Sequence, residues 1–63
     1  MAWVAVDKNG EEWVFEYKPI RSENCFVLQY SDGEGFLNLP LGSIQKLIGH
    51  ELTWEGEPVE VRF

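Results

Sequence analysis

The side chains able to do chemistry are few: one histidine, His50, one cysteine, Cys25, the serines Ser22, Ser31 and Ser43, and eleven carboxylates. Nucleophilic catalysis needs a nucleophile, a base and an orienting group together, and no serine lies in a G-x-S-x-G elbow. These serines read as turn and cap residues. His50 beside Glu51 could act as a base with its carboxylate, but a histidine just after a helix is more simply a favourable contact with the helix dipole. Cys25 opens an apolar segment with no cation close in sequence to lower its pKa, so it reads as a core residue. One cysteine and one histidine fall short of the roughly four ligands of a zinc site. Asp32-Gly33-Glu34-Gly35 offers two carboxylates where calcium needs about six oxygens, and its glycines lack the third glycine and the βαβ frame of a phosphate loop. No catalytic residue, metal site or cofactor is expected, and the chain does not read as an enzyme.

Acid and aromatic residues remain. Asp7, Glu11, Glu12 and Glu16 make the first third acidic, as Glu51, Glu55, Glu57 and Glu60 do the last. Such a surface either only solubilises or presents charge to a basic groove on a partner, as a nucleic-acid backbone would. Trp3, Trp54 and Tyr30 are the aromatics most suited to partial exposure, where an aromatic anchor contributes strongly to binding, although each also suits the core. The expected partner-binding set is Trp3, Glu11, Glu12, Glu16 and Trp54. Eleven acidic against five basic residues give a net charge of −6, which repels phosphate backbones and anionic lipids. A protein partner or self-association is expected, not direct nucleic-acid or membrane binding. No apolar run approaches ~18 residues, and the first residues lack the basic segment and apolar stretch of a signal peptide. With an unpaired cysteine, this points to a reducing cytoplasm.

The elements that must position these residues follow from turn chemistry. Asn9-Gly10 between alternating apolar runs signals a hairpin of strands 2–7 and 12–17. A two-residue turn would oppose Val6 to Trp13, Val4 to Phe15 and Ala2 to Tyr17 on one wholly apolar face, leaving Trp3 beside Glu16 on the other. A three-residue turn with Gly10 left-handed slips the register by one, groups Trp3, Ala5, Trp13 and Phe15, and sets Val6 against Glu12. The first separates polar from apolar more cleanly and is preferred. Lys18 to Asn24, with Pro19, reads as a loop. Cys25 to Tyr30 reads as the central strand, pairing through the turn at 31–35 with Phe36 to Leu39. Ser43 is an N-cap candidate, Ile44, Leu47 and Ile48 follow helical spacing, and Gly49 suits the C′ position. Around the turn at 55–58, residues 51–54 and 59–63 give a closing hairpin or one last strand.

At 63 residues there is one domain, 1–63, of α+β class and mostly β. It is expected to be a small curled antiparallel sheet or SH3-like partly open barrel of 5–6 strands, with one short helix near 43–48. A chain this small buries only about 60% of its unfolded surface. Without disulfide or metal, its support must come from aromatics, 14% of the chain, or from a partner subunit.

The opening Trp3-Val4-Ala5-Val6-Asp7-Lys8-Asn9-Gly10-Glu11-Glu12, with the segments from Leu39 to Gly49 and from Leu52 to Val59, resembles short uncharacterised proteins of bacteriophages and mobile elements of gut bacteria. The resemblance covers both ends and about half the chain. It implies a non-enzymatic accessory protein in a bacterial host cytoplasm, binding or inhibiting a host nucleic-acid enzyme or defence protein. Two alternatives stand beside it: a homo-oligomer holding a nucleotide-like ligand between aromatic rings, and a structural assembly module.

Overall fold

The computed structural model describes residues 2–29 and 35–62. The chain is α+β and mostly strand. A four-stranded antiparallel sheet runs in the order β5 (Phe36–Leu39), β2 (Glu12–Phe15), β1 (Ala2–Val6) and β6 (Val59–Val61). Among the described residues a two-stranded sheet of β3 (Ile20–Arg21) and β4 (Phe26–Val27) and one helix, α1 (Ser43–Ile48), accompany it. The larger sheet is open, with β5 and β6 as its edges.

The first hairpin takes the register with the longer turn. Trp3 opposes Phe15, Val4 opposes Val14, Ala5 opposes Trp13 and Val6 opposes Glu12. The Gly10 amide donates to Asp7 O at 2.9 Å and the Asp7 amide to Glu11 O at 2.9 Å, with Gly10 at φ 89. This is a type I turn followed by a left-handed glycine, the three-residue loop that produces a bulge. The preference for a two-residue turn is therefore corrected, and its physical basis was the assumption that the sheet has one polar face. It has none at β1: Val4, Ala5 and Val6 are all buried. On one side Val4, Val6, Val61 and Ile44 of α1 form a core with Ala2, Val14, Leu39 and Ile48 around it. On the other, Ala5, Phe15 and Phe26 form a second core with Trp3, Trp13, Leu28 and Trp54. Each fully buried Val or Phe contributes roughly 1.5–3 kcal/mol, so two thin cores on one sheet stabilise a chain too short for a single thick one.

The segment 25–30 is not the central strand. Only Phe26–Val27 is strand, paired with Ile20–Arg21 inside the stretch expected to be a loop, so Pro19 precedes a strand instead of ending all pairing. Asp7, at 9% exposure, fixes this small sheet to the first hairpin: its Oδ1 accepts the Phe26 amide at 3.0 Å, and the Lys8 amide donates to Asn24 O at 3.2 Å. The expected partner of 25–30, Phe36–Leu39, instead pairs with β2, with Phe36 opposite Phe15 and Leu39 opposite Glu12. The turn at 31–34, Tyr30 and Phe63 lie outside the described residues.

Helix α1 matches its expected span, but Ser43 is not its N-cap. That position is Gly42 at φ 93, and the Ser43 hydroxyl donates to Pro40 O at 2.6 Å. Gly49, at φ 85, closes the other end by donating to Gln45 O. Of the three periodic residues Ile44 is buried and Leu47 is 46% exposed. At the C-terminal end the single-strand alternative holds, as β6 alone, and 51–54 form no strand.

Candidate binding surface

The five residues expected to bind a partner do not form one surface. Trp3 is half-buried against the second core, with Lys18 Nζ 5.5 Å from its ring centroid. Trp54 is half-buried in the same core, its ring 5.3 Å from that of Phe26 at 66°. Glu11 is exposed at the bulge, its amide bound to Asn9 Oδ1 at 3.0 Å. Glu16 is exposed just past the end of β2, and Trp3 opposes Phe15, so the expected pairing of Trp3 with Glu16 is corrected.

Glu12 has a different role. Its side chain lies on the helix side of the sheet, opposite Val6, and reaches the start of α1. There Oε2 accepts the Gly42 amide at 2.7 Å and Oε1 the Ile44 amide at 2.8 Å. A strand carboxylate thus satisfies two amides at a helix start that has no side-chain cap of its own. The carboxylate that made the register look poorly segregated is the helix cap, and it is not available to a partner.

Sequence reasoning missed Arg21. Its guanidinium carbon lies 4.4 Å from the Trp54 ring centroid and 4.8 Å from that of Phe26. One nitrogen donates to Trp54 O and the other to Gly56 O at 3.1 Å. Arg21 joins β3 to the 53–56 turn while shielding two rings, a contact across 33 residues with no local sequence signal.

An apolar opening lies between the first hairpin and β4. This cleft of about 340 Å³ is walled by Trp13, Phe15, Phe26, Leu28 and Phe36, with Val27, Cys25 and Asp7 beside them. Trp13 meets Phe36 edge-on, centroids 5.9 Å apart at 63°, and the Trp13 indole N–H is buried without an acceptor among the described residues. Val27 and Phe36 are each 39% exposed at the rim. Among the described residues that line it, Asp7 and the half-buried Cys25 alone carry reactive groups. Among the described residues no three His, Cys, Asp or Glu side chains are grouped to hold a metal ion, and no helix is long and apolar enough to cross a membrane. No family model, curated protein or solved structure matches the chain.

Proposed function

We propose that this is a non-enzymatic binding protein that receives an apolar or aromatic side chain of a protein partner in the cleft between the first hairpin and β4. The observation that carries the reading is the cleft itself: about 340 Å³, walled by aromatic rings, with Val27 and Phe36 open at its rim. That volume lies at the small end of the usual range for binding sites, roughly 300–1,000 Å³, and suits one inserted side chain. Exposed Glu11, Glu16 and Glu60 and the net charge of −6 favour a basic partner surface. The proposed setting is a phage-type accessory protein in a bacterial cytoplasm, acting on a host nucleic-acid enzyme or defence protein, as the resemblance of both chain ends implies.

The test is affinity capture from host lysate with the wild type, Val27→Arg and the pair Glu11→Lys with Glu16→Lys, with mass spectrometry of retained proteins and small molecules. One protein should be retained by the wild type, lost with Val27→Arg and weakened by charge reversal and by salt. Retention that neither change affects would overturn the reading. A nucleotide-like small molecule released on denaturation, with no protein retained, would replace it by the ligand-binding alternative.

A further inference from the structure

The two edges of the larger sheet differ. At β6 the edge strand Val59-Glu60-Val61 carries a central carboxylate and runs into Arg62, charges that discourage pairing with another chain. Among the described residues, β5 carries no charge. Phe36-Leu37-Asn38-Leu39 lies within the run from Gly35 to Gln45, eleven residues without a charge in a chain one quarter charged. Leu37, in the middle of this edge, is 70% exposed, and Leu41 just beyond it is 80% exposed.

The ladder fixes which backbone groups the edge presents. The Glu16 amide donates to Gly35 O at 2.7 Å, so the opposed pair Glu16 and Gly35 is a hydrogen-bonded one. Opposed pairs alternate along an antiparallel ladder. Val14 with Leu37 and Glu12 with Leu39 are then bonded pairs, whereas Phe15 with Phe36 and Trp13 with Asn38 are not. Phe36 and Asn38 therefore direct their N–H and C=O groups away from β2, where no described strand meets them.

This pattern complements itself. We propose that β5 pairs antiparallel with β5 of a second copy of this chain about a two-fold axis at Leu37, joining two four-stranded sheets into one of eight. In that register Phe36 of each copy exchanges both backbone hydrogen bonds with Asn38 of the other, which satisfies every outward group of the two residues. Leu37 faces Leu37 of the second copy as a non-hydrogen-bonded pair, the closer of the two pair types with Cα atoms about 4.5 Å apart. The two leucines meet on the helix side of the sheet. The occupant is a second copy because the outward pattern is its own complement about this axis; the −6 charge of each chain opposes association, and it opposes it least here, at the longest uncharged stretch. A four-residue strand pair covers less than the ~800 Å² per partner of a standard interface, so the dimer is weak and depends on concentration. It does not depend on the proposed cleft function.

Sedimentation equilibrium across micromolar to millimolar chain should show a monomer–dimer equilibrium. It should tighten with added salt, which screens like charges, whereas capture of a basic partner should weaken. Leu37→Lys should raise the dissociation constant at least ~10-fold. So should Asn38→Pro, which removes an outward N–H and leaves the β2 ladder bonds in place. Circular dichroism checks that both variants remain folded. In a Cys25→Ser background, Leu37→Cys should oxidise to a disulfide-linked dimer, since the facing Cα distance suits a disulfide, and Leu41→Cys should not. A monomer at every concentration, a dimer indifferent to folded Leu37→Lys, or equal cross-linking of both cysteine variants would overturn the proposal.

Discussion

Glu12 and Ile44 stand 32 positions apart, yet the Glu12 carboxylate accepts the Ile44 amide at 2.8 Å. Ile44 is also the helix residue that enters the core beside Val4, Val6 and Val61. One contact therefore fixes the orientation of α1 and keeps the start of a six-residue helix, too short to persist alone, against the sheet.

Glu12→Ala should accordingly destabilise the fold by about 1–3 kcal/mol, the range for losing charge-assisted hydrogen bonds to otherwise orphaned amides. Glu12→Gln, which keeps one acceptor oxygen, should cost less. Glu11→Ala, one residue away and exposed, should stay within about 0.5 kcal/mol of the wild type. Urea denaturation of the three variants checks this; equal stability of Glu11→Ala and Glu12→Ala would remove the cap from the account.

Gly10 allows a test of the hairpin register. At φ 89 it occupies the left-handed region, and a Cβ added there would meet nothing within 4 Å, so any cost of substitution is backbone strain alone. Gly10→Ala should cost about 1–2 kcal/mol. D-alanine at the same position, accessible by chemical synthesis, should be at least as stable as glycine because it favours positive φ and lowers unfolded-chain entropy. A thermal melt compares the three peptides.

The same turn shows where sequence was informative. Asn9-Gly10 marks the hairpin, Gly49 the helix end and Pro40 the end of β5, because turn chemistry is local and each residue carries its own φ requirement. Register is not local. It is read from a contrast between a wet and a dry face, and β1 lacks that contrast with Val4, Ala5 and Val6 all buried. The pairing of β5 with β2 was hidden for a related reason: Phe36 to Leu39 alternates well enough to pair with any neighbour, and only the tertiary position of β4, held by Asp7, decides between them. Among the site residues, Trp3 and Trp54 suited both the core and partial exposure in the sequence, and the structure half-buries both against the second core. Glu12 was not legible as a cap, since its ligands lie at residues 42 and 44.

Arg21 should be irreplaceable by lysine. Its planar guanidinium stacks near Trp54 and Phe26 while donating to two carbonyls, and a single ammonium cannot do both. Arg21→Lys and Arg21→Ala should each lose about 1 kcal/mol, the size of an exposed cation–π contact with its hydrogen bonds. Both should also alter Trp54 emission, read in a Trp3→Phe, Trp13→Phe background whose folding is confirmed first. Full stability and unchanged emission in Arg21→Lys would show that charge alone suffices.

Charge reversal on the first hairpin separates binding from folding once Glu12 is set apart. The Glu11 and Glu16 side chains are exposed, and their carboxylates accept no hydrogen bond among the described residues, so Glu11→Lys with Glu16→Lys should leave the melting temperature within a few degrees of the wild type. Association with a basic partner should slow about 10-fold or more at low salt, with the difference shrinking as ionic strength rises, because steering by rim charges acts on the encounter rate. Glu12→Lys should do the reverse, placing an ammonium against the amides of Gly42 and Ile44 and lowering stability before any partner is met. Stopped-flow association beside thermal melts reads both. A Glu11 and Glu16 variant that binds at the wild-type rate at low salt would confine the acidic face to solubility and leave the aromatic cleft as the whole of the recognition surface.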